Sequence, residues 1–260
     1  MKIGIDAKRA FTNKSGLGNY SREIISYIKE NYPEINLQLF TSTYNNKIYD
    51  PKNIKVHTPK INFIKNYWRQ YQISNILKKE EIKIYHGLSN EIPKNLNKNI
   101  KSIVTIHDLI YLKYPKFYNF IDRNIYYHKS KYACQNSDLI IAISNQTKND
   151  IIEYFNIDKQ KIKVIYQGCD NSFLNIKENK NVLNKYSINK PFILNVGTIE
   201  KRKNLLLIIK AIKNLEKINL VCIGKKTNYF NEIIKYIKKE KMENRIFFPK
   251  VNNKIGRAHV

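Results

Sequence analysis

Residues 191–211, PFILNVGTIEKRKNLLLIIKA, read as one strand, one sharp loop and one helix. Phe192, Ile193, Leu194 and Val196 form a short apolar run, the pattern of a parallel strand covered on both faces. Gly197 breaks the run and permits a tight turn. Lys201, Arg202 and Lys203 follow, and Asn204 stands where a helix N-cap is expected, ahead of Leu205, Leu206, Ile208, Ile209 and Ile212. The loop is therefore expected to bring a helix N-terminus and cationic side chains to the carboxyl end of a strand. Free N–H groups, the helix dipole and fixed positive charge all favour a diphosphate there. An ordinary strand-to-helix turn with a solvated basic face fits the same residues.

Downstream, the spacing predicts a strand at 220–223 ending in Gly224-Lys225, a helix at 229–239 and a short strand at 246–248. Upstream, residues 171–190 are polar, rich in Asn and Lys and without periodicity, which marks a linker. The first half alternates regularly. Strands are expected at 2–6, 37–40, 82–86, 102–106, 138–143 and 162–166. Helices are expected from about 18 to 31, then at 66–80, at 119–135, and from a Ser144 cap to Phe155. Tyr20, Ile24, Ile25 and Ile28 fall on one face of the first of these. Residues 41–65 read as irregular, and 12–21 as a polar, glycine-bearing loop.

This alternation, with a linker between its halves, argues for an α/β chain of two doubly wound, Rossmann-like domains. Their expected bounds are 1–170 and 191–260, joined by 171–190, with the second domain incomplete. Gly16-x-Gly18-x-x-Ser21 half-matches a dinucleotide fingerprint, but the glycines come about ten residues after the strand. The second strand ends in Thr41 with no acidic residue to hold a ribose, so no NAD site is expected. Two strands end in histidine, His86 and His107, and a His there points toward the ligand crevice of an open α/β sheet.

Four of these motifs, in order, resemble glycosyltransferase family 4. The loop GTIEKRKN (197–204) is similar to the family's donor segment. The strand ending His107-Asp108-Leu109, followed by Tyr114-Pro115, is similar to another family segment. So are Gly16-Leu17-Gly18 ahead of the first long helix, and the run SDLIIAIS with the later Gln167-Gly168-Cys169-Asp170. The resemblance spans residues 1 to about 253. It implies the GT-B architecture and a retaining transfer of a hexose from a nucleoside-diphosphate sugar, with no further cofactor and no metal. The acceptor would be a saccharide or a lipid-linked glycan, in cell-surface polysaccharide synthesis.

The resemblance also implies roles for particular residues. Lys203 and Arg202 contact the diphosphate, and Thr198 stands where some members carry Arg. Gly16, Leu17 and Gly18 close over the donor phosphates. His107 faces the transferred sugar, and Asp108 either orients its ring or caps the next loop. Family members continue with two Glu eight positions apart, and no such pair follows Lys225. Half a sheet is expected to leave an open edge and uncovered apolar faces.

At 260 residues and 42% hydrophobic, the chain has enough apolar side chains for a core. Cys134, Cys169 and Cys222 stand far apart, which fits neither a zinc site nor a disulfide framework and suits a reducing cytoplasm. No signal-peptide pattern opens the sequence, and no apolar run reaches the ~20 residues of a spanning helix. A cytoplasmic protein, or one at the inner face of the plasma membrane, is expected. The net charge is +26, yet only seven of the 47 basic residues are Arg, and the lysines are spread evenly. That points to compositional bias rather than a nucleic-acid footprint, so no specific nucleic acid is expected, while peripheral contact with an anionic membrane stays open. Two alternatives remain: a basic protein that binds nucleic acid or membrane surfaces without chemistry, and an inactive fragment.

Overall fold

The computed structural model describes residues 1–169, 181–186, 188 and 191–249. Asp170, most of the 171–190 stretch read as a linker, and the terminal IGRAHV lie outside the described residues. The chain divides into two compact units, Met1–Gly168 and Cys169–Val260.

The first unit opens with β1 (Lys2–Asp6), a short helix α1 (Lys8–Thr12), the long α2 (Gly16–Asn31), β2 (Asn36–Phe40) and β3 (Lys55–His57). A continuous helical run follows, made of α3 (Lys65–Tyr67), a π-helical turn (Trp68–Gln72) and α4 (Ile73–Lys79). Next come β4 (Ile84–Gly87), β5 (Lys101–Ile106), α5 (Ile110–Lys113), α6 (Phe120–Asn136), β6 (Leu139–Ala142), α7 (Asn145–Phe155) and β7 (Ile162–Val164).

The seven strands form one sheet in the order β3-β2-β1-β4-β5-β6-β7. Every pairing is parallel. The chain winds outward from β1 through β2 to β3, then returns to the other side of β1 for β4. The carboxyl ends of β1 and β4 thus flank a topological switch point, where open α/β sheets bind ligands. Apolar strand runs fit this burial: Ile5, Val104, Ile106 and Ile140 are fully enclosed. The face of α2 read from its period packs as expected, with Tyr20, Ile24, Ile25 and Ile28 in the cluster around Ile5 and Leu39. Ser144 caps α7, its Oγ accepting from the N–H of Thr147 at 3.0 Å.

The 12–21 loop is shorter than its composition suggests. Helix α2 begins at Gly16 rather than near Gly18, and α1 precedes it. The physical reason is local packing: Ala10 and Phe11 are fully buried. The Arg22 guanidinium, on α2, also donates to the carbonyls of Ala10 and Asn13 at 2.8 and 2.9 Å, which ties the segment down. Residues 41–65, read as irregular, contain β3 as well.

In the second unit, the described elements are α8 (Asn181–Lys185), β8 (Phe192–Val196), α9 (Leu205–Ile212), β9 (Asn219–Ile223), α10 (Tyr229–Lys239) and β10 (Ile246–Phe247). The strands form a parallel sheet in the order β10-β9-β8. Leu205, Ile209 and Ile212 of α9 pack with Ile233 and Ile237 of α10 over Leu220 and Cys222 of β9. The expectation that β8 is covered on both faces fails. Leu194 is 52% exposed and Ile193 39%, because β8 is an edge strand of the described sheet and pairs with β9 alone.

Candidate functional site

In the first unit the strand ends at the switch point carry a buried polar cluster. Asp6 closes β1, and its carboxylate accepts from Arg69 at 2.5 Å and from Ser89 Oγ at 3.4 Å. Arg69 also donates to Glu91, which Lys129 joins at 3.1 Å. Arg69 projects from the π-helical turn, the kind of widened turn that recurs where a helix must aim a particular side chain. That turn puts Trp68 in the apolar cluster with Phe40 and Tyr85, and Arg69 against two carboxylates. Burial alone would raise the Glu91 carboxyl, but the nearby Arg69 and Lys129 charges outweigh it and bring it down to about 2.

His107, immediately after β5, is 8% exposed and held on every side. Its Nε2–H donates to the Leu88 carbonyl at 2.9 Å, and its Nδ1 accepts from the Gln167 side-chain amide at 3.1 Å. Its backbone N–H donates to Asn90 Oδ1 at 2.9 Å, and its carbonyl accepts from Thr147 Oγ1 at 3.2 Å. The Tyr20 ring stands edge-on to the imidazole, 4.9 Å between centroids. Burial, the largest influence, lowers the His107 pKa, and Arg9 adds to it against Leu88 and Asp108. His86 lies beside it, its Nε2 2.9 Å from Thr105 Oγ1, which also meets the Tyr20 hydroxyl at 3.2 Å. Burial lowers His86 to about 4, so its ring is neutral at pH 7. Asp108 does not orient the imidazole. Its Oδ1 accepts from the N–H of Ile110, two residues on, at 3.3 Å.

Gly16 and Leu17 open α2, where the first amides of a helix have no intrahelical partner. Gly16 faces open space, while a Cβ on Gly18 would lie 1.8 Å from the Asn13 carbonyl oxygen. Gly18 is thus required by the close approach of the backbone.

In the second unit, β8 runs into Gly197 at φ 151°, a conformation that side chains resist. Lys201–Lys203 then form a 3-10 turn, and Asn204 precedes α9. Asn204 holds the N-cap position of α9 that the sequence suggests, but in the left-handed conformation and with no side-chain cap bond. The tight turn over three residues leaves the chain no extended residue there, and left-handed Asn closes it instead. Arg202 is tied to Glu200 at 2.6 Å. Lys203 is exposed and, among the described residues, has no ion pair. The adjoining strand ends touch: a Cβ on Gly224 would lie 1.8 Å from the Gly197 carbonyl oxygen.

Residues 15–173 match the model of Glycosyltransferase Family 4, and residues 175–257 match that of Glycosyl transferases group 1. The chain belongs to glycosyltransferase family 4.

Curated relatives agree with this family 4 assignment. The O-antigen chain mannosyltransferase B of Escherichia coli is 29% identical over 136 residues, covering 51% of this chain and 35% of the relative. The N-acetylgalactosamine-N,N'-diacetylbacillosaminyl-diphospho-undecaprenol 4-alpha-N-acetylgalactosaminyltransferase of Campylobacter jejuni is 28% identical over 111 residues, covering 42% and 29%. The chain spans less than half the length of the curated relatives it matches. A glycosyltransferase from Rickettsia africae superposes with a TM-score of 0.70 at 19% identity, over 98% of this chain and 69% of that one. The Anabaena HepE protein in complex with UDP and glucose gives 0.65 at 15%, over 98% and 70%. At such identities the likeness speaks for the fold, which is that of GT-B glycosyltransferases.

Two contributors to this candidate site were not singled out from sequence as site residues. Gln167 reaches His107 from 60 positions away, and Arg69 joins Asp6 to Glu91. Among the described residues no group of three His, Cys, Asp or Glu is placed to hold a metal ion.

Proposed function

We propose that this chain belongs to an enzyme that moves a hexose from a nucleoside-diphosphate sugar to a saccharide or lipid-linked acceptor, with retention, in cell-surface polysaccharide synthesis. The observation that carries the reading is the Lys203 ammonium, exposed and without an ion pair among the described residues, in the loop after β8. Lys203 neutralises the leaving diphosphate. Arg202, held by Glu200, is the lesser cation, and Thr198 is a further proposed contact of the same phosphates. The amides at Gly16, Leu17 and Gly18 are a further proposed phosphate contact, through the positive end of α2.

His107 is the proposed sugar contact. Its neutral ring cannot serve as an acid at pH 7, so the barrier is lowered by placement and fixed dipoles rather than by proton transfer from this residue. The UDP and glucose of HepE support a nucleotide sugar as donor. The diphospho-undecaprenol in the Campylobacter relative's name supports a lipid-linked acceptor.

Such an acceptor lies in a membrane, and no helix among the described residues is long and apolar enough to cross one. We therefore propose peripheral contact at the inner face of the plasma membrane. Phe117, Phe120, Ile121 and Ile125 are exposed, with Lys116 and Arg123 over the rings of Phe117 and Phe120. Aromatic and aliphatic side chains beside cations suit an anionic lipid surface.

The test is donor turnover by the full chain over a panel of nucleoside-diphosphate hexoses, followed by proton NMR of the released sugar. Hydrolysis that first yields the donor's own anomer supports the reading. Release of the opposite anomer contradicts retention, and no turnover of any donor contradicts the enzyme.

A further inference from the structure

His107 has two ring nitrogens, and the structure commits both. The Leu88 carbonyl can only accept, so Nε2 carries the proton. In the neutral ring Nδ1 is then a lone pair, and the Gln167 amide donates to it at 3.1 Å. A ring flip would turn a carbon toward Leu88, and the Tyr20 ring packs against the imidazole at 4.9 Å between centroids. The imidazole therefore has no N–H to offer a ligand.

We propose that Gln167 is a positioning residue: its amide holds the Nδ1 lone pair of the neutral His107 ring and reserves it as an acceptor, open only to a ligand hydroxyl that displaces that amide. This assigns direction to a contact that the family resemblance leaves unspecified. A sugar at this place gives a hydrogen bond to His107 and receives none from it. The identity of the hydroxyl as a sugar's rests on the proposed function, while the protonation state does not.

The groups facing the ring agree with an uncharged state. Arg9 on α1 opposes a positive ring, and His86 on β4 is itself neutral. Tyr20 on α2 and Thr147 on α7 bring no charge, and Asp108, which favours a charged ring, has its carboxylate turned to the N–H of Ile110.

The test is nitrogen-resolved NMR of the His107 ring in the full chain, assigned by loss of signal in His107→Asn, with Gln167→Leu and Gln167→Glu alongside. Wild type is expected to show a proton on Nε2 and none on Nδ1 at pH 7. A carboxylate at 167 can only accept, so Gln167→Glu should pull a proton onto Nδ1. His107 should then titrate at least about one pH unit higher, a tenfold change in the protonation constant. Gln167→Leu should leave the ring neutral, a contrast that a merely structural role does not produce. A proton on wild-type Nδ1, or no shift in Gln167→Glu, overturns the proposal.

The ligand arm adds UDP-glucose to wild type. Binding that moves the Gln167 amide and His107 Nδ1 signals supports the hydroxyl contact, and binding that leaves both unmoved overturns it. Absence of binding by UDP-glucose and by every other donor of the panel overturns the proposed function and, with it, the sugar half of this inference, while the titration still decides the role of Gln167.

Discussion

Arg69 and Asp6 stand 63 residues apart in the chain and meet as a buried ion pair at the switch point, 8% and 3% exposed. Glu91 completes the guanidinium's shell. Removing the central charge strands the buried Asp6 carboxylate and leaves Glu91 with Lys129 alone. We expect Arg69→Met to cost the first unit about 3–5 kcal/mol, the loss typical of a buried pair broken on one side. Trp68, the sole tryptophan, lies next to Arg69, so its fluorescence during denaturant unfolding reads this unit. A variant as stable as wild type would show that the cluster contributes nothing net.

Acidification should weaken the same unit in two stages. His86 titrates near 4 when folded against an ordinary 6.5, and Glu91 near 2 against 4.5. In both windows the unfolded chain binds more protons, so stability rises with pH. It is lost first as pH falls from about 6.5 to 4, then from about 4.5 to 2. Unfolding midpoints measured from pH 8 to pH 3 should hold down to about pH 6.5 and decline below it. Glu91→Gln should flatten only the lower stage.

The two glycines at the start of α2 should respond oppositely to alanine. Gly18→Ala drives a methyl into the Asn13 carbonyl and should cost at least the roughly 1–3 kcal/mol of ordinary overpacking. Gly16→Ala meets nothing and removes unfolded-state freedom, so it should be neutral or stabilise by up to about 1 kcal/mol. Thermal melts of the two variants decide this, and equal effects would contradict the close approach described.

Membrane contact predicts that the double change Phe120→Ser with Ile121→Ser reduces co-sedimentation with phosphatidylglycerol vesicles at least tenfold. Both side chains are 66% exposed, so the fold should survive. Each apolar side chain that enters the lipid interface contributes up to roughly 1.5–3 kcal/mol. Retained binding would move the contact elsewhere.

Much of this architecture is legible in the sequence because its signals are local. The Ile24, Ile25 and Ile28 spacing and the Ser144 cap each lie within a turn or two of helix, and both appear in the structure. Asn204 misleads because the composition of a cap does not fix its backbone conformation. Helix α1 has five residues, too few for a period to emerge. The apolar run of β8 says that the strand wants cover, not that the described sheet supplies it. Arg69 and Gln167 are invisible for another reason. Their partners lie 63 and 60 positions away, and only the winding of the sheet brings them together.

The central claim is that Lys203 receives the donor diphosphate, and calorimetric titration of UDP-glucose into the full chain, Lys203→Ala and Arg202→Ala tests it most directly. Loss of a charge-assisted contact worth about 1.5–3 kcal/mol weakens binding roughly tenfold or more. The account predicts that loss for Lys203→Ala and a smaller one for Arg202→Ala, whose guanidinium is already held by Glu200. Equal affinity in wild type and Lys203→Ala would contradict it.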